Sequence, residues 1–355
     1  MKSEKFSVYL FVWEEQKPMK SKNIVFTERG KAELIEEELQ PMSPTDVLVE
    51  LAVSTTSSGT ERANLLGSDT VDWTSPPKES IFPKHLGYCS AGTVIAVGDQ
   101  VTGVKVGDRV ACTFGQYRQY CVFKEKNVIP IGDLPFEEAA TFFISVFPLA
   151  AIRKCRLEIG ESAIVMGQGI LGQFAVVLLK AAGAVPVVAV DPMPEKRARA
   201  LELGADYAFD PFDPDFAKKV KEVTEGGANV GIEVTGVGAG LNGILDCMAL
   251  KGRVALLGCT RSSDFTVDYY RKIHGPGITL VGAHTNARPD VESNPGWWTQ
   301  RDDMITVRKL TELGRISLAS FVEETHSPEE APKIFNRLAT EKCFPIVQFD
   351  WRMLK

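Results

Sequence analysis

Met166-Gly167-Gln168-Gly169-Ile170-Leu171-Gly172 lies between an apolar run, Ser162-Ala163-Ile164-Val165, and a helix-like stretch from Phe174 to Ala182. Its glycines therefore fall where a strand turns into a helix. Such a turn needs one residue for the backbone bend, one for close approach of a pyrophosphate and one for helix–strand packing, and none of the three can carry a side chain. The helix N-terminus then offers free N–H groups to an anion. The next apolar run, Val187-Val188-Ala189-Val190, ends in Asp191, 24 residues after Gly167. A carboxylate there is placed to accept the ribose hydroxyls of NAD. The stretch as a whole predicts dinucleotide binding by Gly167, Gln168, Gly169, Ile170, Leu171, Gly172 and Asp191.

Outward from this turn, strands alternate with helices of the length that parallel crossovers require. Strands are predicted at 162–166, 185–190, 206–209, 229–234, 253–258 and 278–283, and helices near 170–183, 194–203, 213–224 and 239–250. This is an α/β pattern, a Rossmann doubly wound parallel sheet assigned to residues 153–290. The loops Thr235-Gly236-Val237-Gly238 and Gly258-Cys259-Thr260 follow its fourth and fifth strands, on the edge where such sheets bind ligands. Thr235, Gly236, Gly258 and Cys259 are thus further cofactor contacts. Asp191 disfavours a 2′-phosphate and so favours NAD, while Lys196 and Arg197, one turn later, keep NADP open.

Residues 1–152 read differently, as short β-rich runs separated by turn residues: Val47 to Leu51, Gly92 to Gly98, Arg109 to Cys112. Gly98-Asp99 and Gly107-Asp108 supply the turn chemistry. After Ala283-His284 comes a polar, Pro- and aromatic-bearing segment, Thr285 to Asp303, then a helix-like run from Met304 to Leu313. Residues 291–355 are read as a return to the first domain, ending in a strand, Ile346-Val347-Gln348-Phe349.

Length agrees with more than one core: 355 residues exceed what one usually spans. A net charge of −6, with 44% hydrophobic and 24% charged residues, gives no footprint for nucleic acid or an anionic membrane. The apolar stretch Val8 to Trp13 is too short to span a bilayer and lacks a cleavage site, so a cytoplasmic location is expected. Seven cysteines with no CxxC spacing argue against a disulfide framework or a zinc ribbon.

The barrel signature Ala91-Gly92-Thr93-Val94…Val97-Gly98…Val106-Gly107-Asp108-Arg109-Val110, the nucleotide turn, and Lys196…Leu203-Gly204-Ala205-Asp206 together resemble the medium-chain dehydrogenase/reductase family. The resemblance implies a GroES-like β-rich catalytic domain interrupted by the Rossmann domain, with the active site between them. Zinc alcohol dehydrogenases of that family carry Cys-Gly-Thr-Asp, Gly-His-Glu and a third ligand ahead of the nucleotide domain. Here the corresponding residues are Ser58-Gly59-Thr60-Glu61, Gly87-Tyr88-Cys89, and a stretch from Phe142 to Phe147 without Cys, Asp or Glu. The four-cysteine lobe of the structural zinc is also missing between Cys112 and Cys121. No metal is expected. Ser58-Gly59-Thr60-Glu61-Arg62 with Leu86-Gly87-Tyr88 is similar to a zinc-less branch that includes bacteriochlorophyllide dehydrogenases and the dehydrogenase half of two-domain oxidoreductases from bacterial polysaccharide clusters.

Without a metal, side chains or water must remove the hydroxyl proton and stabilise the oxygen. By position Tyr88, Glu61 and Ser58 should lie near the nicotinamide, with Thr60 and Arg62 beside them. Tyr88 is either an acid/base or a filler of the metal's space, and Glu61 either an active-site carboxylate or the ion-pair partner of a base such as Arg62. His284, where the chain re-enters the cleft, is a further catalytic candidate. Arg288 and Trp298 in the segment after it are candidates for substrate, unless that segment is a surface loop stapled by its own side chains. His85 could shuttle protons or be structural, and His274 and His326 read as surface. The expected function is a zinc-independent, NAD(H)-dependent oxidoreductase acting on a small secondary alcohol or ketone, sugar- or polyol-like. An NADPH-dependent quinone or enoyl reductase and a nucleotide-binding protein without turnover are the alternatives. Thr279-Leu280-Val281 would be an unprotected sheet edge unless paired, so a homodimer is expected.

Overall fold

A computed structural model describes residues 19–68, 70–72, 75–260, 263, 265–341 and 343–355. The stretch Val8 to Trp13 lies outside the described residues. In the first half β1 (Asp46–Thr55) leads into helix α1 (Ser58–Leu65) and pairs antiparallel with β2 (Cys89–Val97). β2 pairs with β3 (Arg109–Thr113), and β4 (Tyr120–Lys124) returns along the start of β1. Phe26, Leu51, Leu65, Tyr117, Phe335 and Phe349 fill the core of this barrel-like sheet. At the second turn Asp108 accepts the Lys105 N–H at 2.9 Å and Gly107 has φ +90°, as read; Gly98 is not left-handed and is required instead because a Cβ there would stand 2.2 Å from the Pro44 carbonyl oxygen.

Helix α2 (Phe142–Lys154) follows, and every residue in it except Arg153 is buried. One side packs on Ala52, Cys89, Ala111 and Ile129 of the β-rich half, the other on Val165, Phe174, Ala175 and Leu178 beyond it. An apolar helix without a polar face can be stable only when covered all round. Both halves cover it.

The second half runs β5 (Ala163–Met166), α3 (Ile170–Ala181), β6 (Val187–Val190), α4 (Pro194–Glu202), β7 (Tyr207–Phe209), α5 (Phe216–Val223), β8 (Ala228–Glu233), α6 (Gly238–Asp246), β9 (Met248–Leu256) and β10 (Thr279–Gly282). The sheet order is β7-β6-β5-β8-β9-β10, all parallel, so the direction of winding reverses between β5 and β8. Ligand crevices form at such a switch point. β5 and β6 are fully buried apolar strands, as a sheet covered on both faces requires.

Two boundaries differ from the sequence reading. The helix expected over 239–250 ends at Asp246, and β9 starts at Met248, five residues before its expected start; a register shift between Ala228 and Val230 and a left-handed Lys251 let the strand begin early. The helix expected from Met304 begins at Gln300, where the Thr299 hydroxyl caps it by accepting the Asp302 N–H. This helix, α7 (Gln300–Glu312), packs on α2 and is followed by α8 (Ala331–Thr340) and β11 (Val347–Asp350). β11 pairs antiparallel with β1, Gln348 opposite Thr55. Trp351 then donates its indole N–H to Ser54 at 2.9 Å. Among the described residues no helix is long and apolar enough to cross a membrane.

Candidate active site

A cleft of about 560 Å³ is lined from one side by the turn after β5 and from the other by the start of α1. Gly167 has φ +100°, a conformation that excludes most side chains, and a Cβ on Gly172 would sit 1.9 Å from the Gly167 carbonyl oxygen. The turn is thus compressed onto its own helix, while Gly169 faces open space. Gln168, Ile170, Leu171, Lys196, Thr235, Gly258 and Cys259 line the same cleft. Gly172 and Gly236 do not; they build its floor, Gly236 because a side chain there would strike the backbone of Cys259 at 2.8 Å. Asp191 also lines the cleft, its carboxylate accepting the N–H of Gln168 at 2.8 Å and of Met193 at 2.9 Å. Each oxygen keeps a lone pair for a ribose hydroxyl. Arg197 donates instead to the carbonyls of Asp191 and Pro192. Buried Glu233 shapes the opposite loop by accepting the N–H groups of Thr235 and Gly236.

Ser57, Ser58, Thr60, Tyr88, Phe147, His284 and Thr285 form the other end. Gly87 makes the position of Tyr88 possible, for its left-handed backbone lets the chain pass against Gln116 and Tyr117, where a Cβ would stand 2.9 Å from the tyrosine ring. Phe114 N–H then donates to the Tyr88 carbonyl and Tyr117 N–H to that of Leu86. The Tyr88 ring packs edge-on to Phe143 and near Phe147, with its hydroxyl in reach of those of Ser57 and Thr60. Burial, then the neighbouring Glu61 carboxyl, hold the Tyr88 phenol well above its ordinary pKa. It is a hydrogen-bond donor at neutral pH. His284 Nδ1 accepts the Asn286 N–H at 3.2 Å, which leaves the neutral ring's N–H on Nε2.

Four candidate residues lie elsewhere. Glu61 does not reach the cleft: it is 1% exposed behind Tyr88, accepts the Tyr117 hydroxyl at 2.7 Å through Oε1, and has no partner at Oε2. Burial pushes its carboxyl up to about 8. Arg62 forms no pair with it; the guanidinium turns to the Leu338 and Glu341 carbonyls in an adjoining cavity. Arg288 folds back on the Thr285 carbonyl at 2.8 Å and lies 3.8 Å from buried Asp303. Trp298 lies under the Arg153 guanidinium at 3.6 Å, outside the cleft. The segment after His284 is thus stapled to α2, the other reading of its composition. His85 is structural, paired to Glu37 at 2.9 Å, and His326 is not free surface but part of an ion-pair cluster with Glu324 and Glu330.

Two family models match: one described as "Alcohol dehydrogenase GroES-like domain" over residues 44–133, one as "Zinc-binding dehydrogenase" over 171–294. The chain belongs to the medium-chain, alcohol-dehydrogenase-like family. It is an NAD(P)-dependent dehydrogenase. It is 28% identical over 319 residues to an L-threonine 3-dehydrogenase of Pyrococcus horikoshii, covering 81% of this chain and 86% of that one. It is 27% identical to a D-guloside 3-dehydrogenase of Escherichia coli, covering 61% and 63%. The crystal structure of galactitol-1-phosphate dehydrogenase from Escherichia coli shares the fold, with TM-score 0.80, 21% identity, and coverage of 93% and 99%.

The family's catalytic zinc can be tested against the donors present. Ser58, Tyr88 and Phe147 do converge on the cleft, but they offer an aliphatic hydroxyl, a phenol that holds its proton, and a hydrocarbon ring. Zinc takes thiolate, imidazole or carboxylate. Cys89 is buried with its thiol pushed well up by desolvation, and among the described residues no group of three or more His, Cys, Asp or Glu could hold a metal. The donor set does not fit. Six residues, 114–119, join β3 to β4, and the cysteines flanking them, Cys112 and Cys121, are both buried and free.

Ser57 and Tyr117 were missed by the sequence reading. Ser57 stands one residue before the motif, and Tyr117 meets Glu61 only through a contact 56 residues apart. No local pattern marks it.

Two outcomes follow from this geometry. Gly169→Val should abolish NAD binding yet leave the melting temperature unchanged, since its side chain enters open space, whereas Gly172→Ala should destabilise the fold by about 1–3 kcal/mol through overpacking. Calorimetry with nucleotide titration separates them. Because folded Glu61 holds its proton up to about 8, the stability it confers is fullest in acid and falls as pH rises from the usual carboxylate range to 8. The loss is about 1.4 kcal/mol per pH unit. Glu61→Gln keeps an acceptor for Tyr117 and should melt higher than the parent at pH 9 but not at pH 5. An equal difference at both pH values would contradict a protonated Glu61.

Proposed function

We propose that this chain is a zinc-independent, NAD(H)-dependent dehydrogenase of a secondary alcohol or its ketone, sugar- or polyol-like. The observation that carries the reading is the convergence of the nucleotide turn, with Asp191, on a wall of hydroxyls from Ser57, Ser58, Thr60 and Tyr88. Similarity to a D-guloside 3-dehydrogenase supports the substrate class. Asp191 supports NAD, because a 2′-phosphate beside its carboxylate is repelled. NAD, when bound, gives or takes the hydride.

The remaining chemistry falls to the chain's own residues. In ketone reduction Tyr88 donates its O–H proton to the oxygen as negative charge develops, and Ser57 and Thr60, whose hydroxyls reach it, relay a replacement proton from water. In oxidation the Tyr88 oxygen receives the substrate's hydroxyl proton as its own proton passes through the Ser57 and Thr60 hydroxyls to water. Ser58 and His284 Nε2 orient the substrate oxygens. The same reading includes a homodimer joined along β10, an edge strand on which Thr279, Leu280 and Gly282 are exposed, and sedimentation equilibrium measures it.

Chelator-washed protein should contain no stoichiometric zinc and oxidise polyols or glycosides with NAD; loss of activity restored by zinc would overturn the reading. Tyr88→Phe should lower turnover by about 10²–10⁴-fold with NAD affinity unchanged. Because burial raises the Tyr88 pKa, parental oxidation should accelerate from pH 7 to 10 while reduction stays flat. Undiminished turnover by Tyr88→Phe removes that residue from the mechanism.

A further inference from the structure

We infer that the substrate of this cleft is uncharged: a neutral polyhydroxylated molecule, not a phosphate ester, an acid or an amino acid. The inference rests on the alcohol dehydrogenase reading above and adds a charge requirement to it. It comes from where the charged side chains nearest the substrate end have gone.

Arg62 belongs to the same helix as Ser58 and Thr60, yet its guanidinium donates to the Leu338 carbonyl at 2.7 Å and to that of Glu341. Arg288, four residues after His284, has a side chain 6% exposed and held by the Thr285 carbonyl and Asp303. Each cation is spent on the protein itself. Glu61 is sealed behind Tyr88 and keeps its proton, so no anion faces the substrate from that side. His284 Nδ1 accepts the Asn286 N–H at 3.2 Å, so Nε2 is the ring nitrogen left for a ligand. Asp191 and Lys196 also line the cleft, both from the chain after β6, and the Asp191 carboxylate is bonded to the Gln168 N–H of the turn.

Among the described residues, the groups lining the cleft from α1, Tyr88, α2 and the chain after β10 are therefore hydroxyls, the His284 imidazole and the Phe147 ring, with Val234 and Leu257 as further apolar lining. Hydroxyls can both donate and accept, which suits a run of substrate hydroxyls whose hydrogens point either way. A phosphate, carboxylate or ammonium drawn into the same cleft would lose water and gain no counter-charge, and such desolvation is costly. A site built to bind hydroxyls also rejects analogues that lack them, because its own polar groups are left unpaired.

The test uses the full-length protein with NAD and matched sets of methyl hexopyranosides in gluco, galacto and gulo configuration. Each set contains the neutral glycoside, its 6-phosphate and its uronate. The expected result is a kcat/KM for the neutral member at least about 100-fold above both charged members in every set that is turned over. A charged member that matches or exceeds its neutral counterpart overturns the inference and leaves the dehydrogenase reading standing. Failure of all members, neutral and charged, overturns the reading and the inference with it. Ser58→Arg provides an independent check, since a cation at the wall should raise the ratio of 6-phosphate to neutral turnover by at least about tenfold. The ratio is measured within one preparation, so a loss of folded protein cancels. An unmoved ratio in active Ser58→Arg protein also counts against the inference.

Discussion

Burial of helix α2 on every side is the constraint from which the rest follows. Phe142, Phe143, Val146 and Phe147 lie against the β-rich half, and the helix also touches the apolar face of α3, Phe174 to Leu178. Neither half could leave it exposed without uncovering a face made almost wholly of Phe, Ile, Leu, Val and Ala. The two halves are therefore held at a fixed separation. The cleft between the β5 turn and the start of α1 is what remains. The site is a consequence of packing, with one wall supplied by Phe147 of the same helix.

Within that cleft the positions that correspond to the family's zinc ligands carry an aliphatic hydroxyl, a phenol and an aromatic ring, Ser58, Tyr88 and Phe147. Tyr88 packs on Phe143 and Phe147, and Phe114, held at φ 62°, packs on Phe143 from farther out. The Glu61 carboxyl lies behind Tyr88, out of the cleft. Here it sits between two phenols, and among the described residues Tyr117 is its only hydrogen-bonding side chain. Desolvation without a cation drives it to the protonated form, and its nearness in turn raises both phenols. Burial is the main cause that keeps the proton on each of the three groups, and it outweighs the Tyr117 hydrogen bond, which by itself favours the Glu61 anion. A neutral network of this kind is compatible with the apolar core around it, where a lone carboxylate would not be.

The nucleotide half was legible because its physics is local. Gly167 is required by its own left-handed backbone and Gly172 by the Gly167 carbonyl five residues earlier, and the alternation of β5, α3 and β6 writes its period into the chain. The hydroxyl wall was legible only through resemblance, since Ser58 and Tyr88 come from segments 30 residues apart. Glu61, Arg62, Arg288 and Trp298 were placed by neighbourhood in sequence, and their side chains point away from it. On α1, one residue's step of about 100° separates the cleft-facing Thr60 from the buried Glu61, and another step carries Arg62 to the far cavity. Helical geometry thus divides three consecutive residues among three environments, a division that composition alone does not reveal.

The segment after His284 shows how a cluster that resembles a binding site serves to position one. Arg153 and Lys154 end α2, where cations suit the helix dipole. Lys154 donates to the carbonyl of Gly282, the last residue of β10, at 3.2 Å, and lies over the Trp297 ring. Burial, and then Arg288, lower its amine to about 8. Arg153 is gripped between Trp298 and Asp303, which sits in the first turn of α7. These two neighbouring residues therefore fasten the chain on both sides of His284. The aromatic rings and acids that mimic a ligand pocket are the clamps, and the residue they present to the cleft is the histidine they enclose.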